Sequence, residues 1–374
     1  MYGLDIGDDE QLLVETLHAF AEDEVRAAAR EAEHESAVPE ALAAALHQLG
    51  VASPVPEEFG GQGMPEANAS LRIAEELAWG DPAIALAALT PGHVAMLIAE
   101  CGSPEQKARW LPRFVGDGPL RASLLLHEGF GRQPSESMTR AKRVDGEWSL
   151  SGEKVGVLHA GLAELSVVVA RDEDGALASF VLEGTPSGLE VLRDDRKNGR
   201  LALDAAPTGS VRLDGVRLPA DARLVDDTAL PATLARIRLA NAVLLLGCAR
   251  AAKEFAQGYA NERVAFGRPI ASFQGVAFPL ADCDMAIETA RLELFDAADA
   301  LAMSEMSGTS EIESLCARVL VRCGEVALQA TREGVQTLGG HGFIREYPVE
   351  RWYRAAAALS ALDFDPTFAP HDFI

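Results

Sequence analysis

The sequence predicts an α+β protein in three parts: an N-terminal helical domain (residues 1–121), a middle antiparallel β-domain (122–226) and a C-terminal four-helix bundle (227–374). Three observations carry this. Apolar residues recur every three or four positions in the first third of the chain. The interval drops to two in the middle, and long three-four seams return after Leu230. Helix, then sheet, then bundle is an uncommon order, and it narrows the possibilities.

At the N-terminus, Leu13, Leu17, Phe20 and Val25 fall at turn-like intervals with charge on the other faces. VPEEFGGQGMP, Val55 to Pro65, interrupts them as a glycine-rich loop. Helical periodicity returns from Asn68 to Glu100, and again in SPEQKARWLPRFV, which opens on Ser103 as an N-cap signal. From about Leu120 to Leu224 the runs EWSLSGE, ELSVVVAR, ASFVLEG, GLEVLRDD and GSVRLDGVRLP alternate, with turn signals at Asp145-Gly146 and Asp174-Gly175. Beyond them, Ala240, Leu244, Gly247, Ala251, Phe255 and Tyr259 form one seam. Val276, Leu280, Cys283, Ile287, Ala290, Leu294 and Ala297 form a second, as helices of a bundle do. In QTLGGHGFIREYPVER, Gln336 to Arg351, three glycines follow a helical run; they read as a helix C-cap and turn, or as room for another body to come close.

Composition bounds the function. At 374 residues the chain is long for one core, and 48% hydrophobic with 24% charged residues is an ordinary globular balance. A net charge of −24 with no basic block argues against nucleic acid and anionic membranes as partners. The most basic stretch, RDDRKNGR (Arg193 to Arg200), is diluted by aspartates and reads as a solvated loop. Membrane insertion is not expected, because LANAVLLLGCARAA is cut by Asn241 and Arg250. The acidic N-terminus lacks a basic region before an apolar stretch, and the five cysteines form no CxxC. Both features point to reduced thiols in the cytoplasm. Cys316 and Cys323, seven apart, read as one buried helix face.

Several segments carry a resemblance. RVAFGRPIASFQGVAFPLADC (Arg263 to Cys283) and QTLGGHGFIREYPVERWYR resemble the two C-terminal signatures of the acyl-CoA dehydrogenase family. PEEFGGQG, AEELAWGDPA and GSPEQKARWLPRF resemble its N-terminal domain, and SVRLDGVRLPADARL the end of its β-domain. The likeness is co-linear over essentially the whole chain. It implies that family's fold, FAD as cofactor, an acyl-CoA thioester as substrate, and electron-transfer flavoprotein or a similar acceptor. It also implies a dimer of dimers with FAD lying across each dimer interface. Gln336, Gly339 and Gly340 would then let the backbone approach the ADP half of a neighbour's FAD. Arg263 would face the pyrophosphate, whose charge its forked donors match, Phe266 would pack near the adenine, and Gln274 would lie close by.

The family's reaction needs a carboxylate to remove the α-proton. A gapless count past the YPVER segment puts Asp363 at that base, one methylene shorter than the family's usual glutamate. The alternative position on the first bundle helix holds Ile237, beside Arg238. The flavin-side strand departs further. HEGFGRQPSE stands where the family reads like TEPGAGSD, and Gly156 and Leu158 replace the tryptophan and threonine that border the flavin ring. His127 and His159, lone histidines near strand ends, read as core or surface residues. The segment serving a neighbour's FAD is thus kept while the segments holding the chain's own flavin are eroded. That asymmetry resembles the degenerate subunit of heteromeric actinobacterial steroid side-chain acyl-CoA dehydrogenases. The expectation is one subunit of an α2β2 heterotetramer, paired with a homologous, catalytically equipped chain and acting on a bulky acyl-CoA. The alternatives are a self-sufficient homotetrameric dehydrogenase or oxidase-like enzyme using Asp363, and a flavin-free binding or scaffolding homologue.

Overall fold

The computed structural model describes residues 8–50, 54–64, 66–129, 132–303 and 309–363. The N-terminal part is helical: α1 (Asp8–Phe20) continues through a π-helical stretch, Ala21–Arg26, into α2 (Ala27–Glu35). Then come α3 (Glu40–Leu49), α4 (Ala67–Gly80), α5 (Pro82–Cys101) and α6 (Pro104–Trp110). Ser103 caps α6 with a full capping box to Gln106. The periodic stretch from Asn68 to Glu100, read from sequence as one run, is two helices. Asp81 adopts an extended φ of −157°, and its carboxylate accepts from the N–H groups of Ala83 and Ile84 at 3.0 Å each. Pro82 opens α5. The apolar seam runs straight through this break, because periodicity reports a buried face while capping is a local event.

Strands β1 (Ala122–Leu125), β2 (Arg140–Val144), β3 (Glu147–Leu158), β4 (Leu165–Arg171), β5 (Leu177–Glu183), β6 (Leu189–Asp194) and β7 (Thr208–Leu218) form one sheet, with the short α7 (Asp195–Asn198) after β6. The order is β1-β4-β2-β3-β7-β6, with β5 also on β4. The β2–β3 hairpin turns through Asp145 and Gly146, both at positive φ, as a type I′ turn requires. The sheet is not wholly antiparallel. β1 runs parallel to β4 from Ala122↔Leu165 to Leu125↔Val168, and β2 meets β4 in parallel at Arg140↔Arg171. Alternation along a strand reveals which face is buried and says nothing of its neighbour's direction.

Strand β4 faces two cores. Leu165, Val167 and Val169 join Leu97 of α5, while Val168 and Ala170 join Trp148 and Phe180 inside the sheet. The C-terminal part holds α8 (Leu230–Glu262), a two-residue-strand hairpin of β8 (Val264–Ala265) and β9 (Arg268–Pro269), α9 (Gln274–Ala302), α10 (Thr309–Leu338) and α11 (Val349–Ser360). Helix α8 also contacts α4, and Gly247 permits it, since a Cβ there would lie 2.4 Å from the Glu75 carbonyl oxygen. Arg351 of α11 reaches Asp81 at 3.0 Å, binding the cap of α5 to the bundle. By length and composition α5 and α8 could each cross a membrane, but 72% and 78% of their apolar windows are buried inside the protein, as in core helices. Cys316 and Cys323 are fully buried along α10.

Candidate functional site

Asp363 lies three residues past α11 and is 3% exposed. Its neighbour on α8 is Arg238, also 3% exposed, which grips it with both arms. Nε donates to Oδ2 at 3.0 Å, and Nη2 donates to Oδ1 at 2.7 Å. The third arm, Nη1, donates to Oε1 of Gln133 at 2.5 Å, and His127 Nδ1 stands 3.7 Å from Asp363 Oδ1. Burial alone would raise the Asp363 carboxyl, but the Arg238 guanidinium, then His127, outweigh it and hold it below the usual aspartate range. Burial drives the His127 imidazole down, partly offset by the Asp363 charge. A general base working near neutrality needs the opposite shift and a free lone pair. Asp363 is instead a paired carboxylate, held towards its ionised form by Arg238.

Glu128, Gln133 and Ser135 of the HEGFGRQPSE segment are each pinned by a different neighbour. Glu128 accepts from Ser137 Oγ at 2.6 Å, from the N–H groups of Met138 and Thr139, and from Thr139 Oγ1. It pairs with fully buried Lys154 of β3 at 2.7 Å. Burial opposes ionisation of Glu128, but Lys154 and the hydroxyls win and take it to about 2. Burial pushes Lys154 down to about 8 against the pull of Glu128. Ser135 donates its N–H and its hydroxyl to Glu313 of α10, and Gln133 is held by Arg238. Gln133 Nε2 is buried and has no hydrogen-bond partner among the described residues.

Gly156 on β3 takes a φ of +65°, and a Cβ built there would lie 3.3 Å from Leu362 Cδ1. A larger residue would meet both backbone strain and Leu362. The cavities beside this junction hold about 10 Å³ each, one lined by His127, Glu128 and Gln133, the other by Arg238, Glu313 and Cys316. That is room for about one water. The residues on this side do not fit a flavin ring. His159 lies elsewhere, at a φ of +54° beside Ser123 and Thr185, with burial taking its imidazole down to about 4. A larger cavity of about 430 Å³ sits between α1, α4, α8 and α9, away from Asp363. Its arginines, Arg250 and Arg291, are already paired with Glu75, Glu76 and Glu288.

The other candidate residues gather at one end of the bundle and face outward. Arg263 follows α8: its N–H donates to the Tyr259 carbonyl and its own carbonyl accepts from Ile270, both at 2.8 Å, leaving the guanidinium exposed. Phe266, at the hairpin tip, has a φ of +52° and is 96% exposed. Gln274 opens α9 and Gln336 lies on α10, both exposed. Tyr259 Oη and His341 Nδ1 meet at 2.9 Å, which holds the turn after α10 against the last turn of α8. The three glycines of that turn have different reasons. Gly339 sits at a φ of +58°, and a Cβ on Gly342 would come 2.5 Å from the Val335 carbonyl oxygen. Gly340 has neither demand: its φ is not positive and nothing lies within 4 Å of a Cβ built on it. An exposed arginine, an exposed aromatic, two amides and an unobstructed glycine backbone do fit the ADP end of a dinucleotide.

Sequence reasoning named Arg238 only as the neighbour of Ile237 and missed the grip on Asp363, the Glu128–Lys154 pair and the Ser135–Glu313 clasp. The polar character of HEGFGRQPSE was the available signal. Comparison with known proteins bears on the whole chain. Residues 7–117 match the family described as "Acyl-CoA dehydrogenase, N-terminal domain" and residues 228–363 the one described as "Acyl-CoA dehydrogenase, C-terminal domain". A Mycobacterium tuberculosis protein named "Probable acyl-CoA dehydrogenase" is 31% identical over 351 residues, covering 91% of this chain and 88% of its own. The mitochondrial short-chain specific acyl-CoA dehydrogenase of Homo sapiens is 28% identical over 363 residues, covering 94% and 86%. Among solved structures, butyryl-CoA dehydrogenase from Megasphaera elsdenii matches with a TM-score of 0.84 at 26% identity, covering 97% of each chain. A glutaryl-CoA dehydrogenase from Mycobacterium smegmatis, solved in complex with FADH2, matches with a TM-score of 0.83 at 25% identity, covering 95% and 90%.

Proposed function

Because this chain belongs to the acyl-CoA dehydrogenase family, we propose that it is one subunit of a heteromeric, FAD-dependent enzyme that dehydrogenates an acyl-CoA thioester. FAD, when bound, takes up the electrons removed from the acyl chain. This chain lends the surface for the ADP end. Arg263 faces the pyrophosphate, Phe266 covers the adenine, Gln274 and Gln336 offer amides, and Gly339 and Gly340 admit the close approach. A homologous partner supplies the ring pocket and the carboxylate base, in an α2β2 assembly. The exposed Phe266, Phe278, Met285, Leu292 and Phe343 are apolar surface for such a partner to cover. Five buried, unpaired cysteines suit the cytoplasm. The narrower reading, a bulky substrate such as a steroid side-chain acyl-CoA, rests on the sequence asymmetry between the kept and the eroded half-sites, which resembles a degenerate subunit. Electron-transfer flavoprotein is the acceptor that family likeness suggests.

One observation carries the proposal: the carboxylate at the base position is locked by Arg238 under a filled β3 surface, while the opposite half-site is fully exposed. Expression of the chain with and without a homologous partner tests it. The expected result is little or no FAD on the chain alone and one FAD per pair of chains in the complex. One FAD per chain on the chain alone would overturn it.

A second reading keeps the chain self-sufficient, with Asp363 as base once Arg238 lets go. It draws on the burial of Asp363 beside β3, the dry setting that a base requires. Asp363→Asn separates the two. The heteromer reading expects complex activity within a few-fold of wild type, and the second expects a fall of about three orders of magnitude with FAD content unchanged.

A further inference from the structure

Three nitrogens meet the place that the Asp363 carboxylate fills, two of them in hydrogen bonds. Nε and Nη2 of Arg238 hold its two oxygens at 3.0 and 2.7 Å, and His127 Nδ1 faces Oδ1 at 3.7 Å. Gln133, held by the third arm of Arg238, is 7% exposed and keeps a buried Nε2 with no partner among the described residues. The planar fork of a guanidinium matches a carboxylate in shape and charge. Among the described residues the two nearby carboxylates are held elsewhere, Glu128 by Lys154 and Glu313 by Ser135. The donors sit on α8 and on the segment after β1, apart from the segment that carries Asp363. Asp363 belongs to the segment after α11 and contributes only its carboxylate.

We infer that Arg238, Gln133 and His127 form a carboxylate-binding site, and that Asp363 is its resident ligand supplied in cis. The ligand class is a short alkyl monocarboxylate. The tethered Asp363 stands at an effective concentration of about millimolar or higher, so the wild-type site is closed to free carboxylates. Removing the side chain opens it. Acetate reproduces the whole Asp side chain with its methyl standing for Cβ, so it fits the space left in Asp363→Gly. Formate fits the smaller space left in Asp363→Ala. This inference stands on the geometry alone and holds whether the chain works with a partner or by itself.

Thermal unfolding of the full-length protein, in about 100 mM sodium acetate against sodium chloride of equal ionic strength, tests it. Asp363→Gly should melt well below wild type in chloride and rise by about 2 °C or more in acetate. Asp363→Ala should do the same with formate. Wild type, Asp363→Asn and the double variant Arg238→Met/Asp363→Gly should show no acetate-specific shift. If Asp363→Gly unfolds in chloride, refolding it in acetate should return the native spectrum. Equal melting in acetate and chloride for Asp363→Gly, an acetate effect that survives in the Arg238→Met double variant, or failure of both carboxylates to restore structure overturns the inference.

Discussion

The junction between sheet and bundle and the far end of the bundle use the same kinds of residue to opposite ends. At the junction, Arg238 is buried and all three of its arms are engaged, with Asp363 and Gln133 as partners. At the far end, Arg263 presents its guanidinium to solvent and Phe266 stands 96% exposed. At the junction Gly156 lies under Leu362, whereas Gly340 lies under nothing. An arginine or glycine therefore signals a ligand only when its own chain leaves it unused. One region has satisfied itself, and the other leaves its side chains exposed.

The sharpest way to break this contrast is Arg238→Ala. It leaves a buried, unpaired carboxylate, and the loss should be about 3–5 kcal/mol of stability. Replacing both partners with apolar residues, Arg238→Met with Asp363→Leu, should recover most of it. Denaturant unfolding checks both, and a cost below about 1 kcal/mol for Arg238→Ala, the value of an exposed pair, would dissolve the distinction. Next in size, Arg263→Ala should leave folding unchanged and weaken FAD retention by the complex by about ten- to a hundredfold, read by fluorescence titration.

The glycines sharpen the comparison further. Gly342→Ala drives a Cβ into the Val335 carbonyl and should cost about 1–3 kcal/mol. Gly340→Ala has open space and should stay within about 0.5 kcal/mol of wild type, yet lower FAD content in the complex. Equal destabilisation by the two would remove the argument that Gly340 serves an outside body.

The smallest expected effect is the acid response. The folded pKa of Glu128, about 2, lies below the ordinary glutamate value of about 4.3. Its contribution is therefore complete above that ordinary value and is lost as pH falls towards about 2. The depressed Asp363 acts in the same sense. Glu128→Gln should flatten the fall in melting temperature between about pH 5 and pH 3 relative to wild type. An unchanged slope would mean that the Glu128–Lys154 pair does not hold the junction shut.

The three-part architecture was legible because periods of 3.6 and 2 report burial directly. The break at Asp81 and the parallel pairing of β1 with β4 were not, since one depends on a single cap and the other on which strands meet. The outward-facing candidates were legible as contiguous motifs. The lock on Asp363 was not, because Arg238 stands 125 positions away and only folding brings them together. A gapless count put Asp363 at the base position that the resemblance implies, but no count could say that its charge was already taken. The glycine-rich turn after α10 divided three ways, because each glycine's reason lies in what folding brings near it.

Strand β4 has a consequence for how the protein comes apart. Its odd-numbered residues, Leu165, Val167 and Val169, belong to a core shared with α5 and the start of α8, and its even-numbered ones to the interior of the sheet. The sheet is thus not a detachable module. Cutting it free would bare a continuous row of branched aliphatic side chains on a central strand, and such a fragment would aggregate sooner than fold. Because one strand belongs to both cores, melting either one loosens the other, and the slowest-exchanging amides of the whole molecule should cluster on β4.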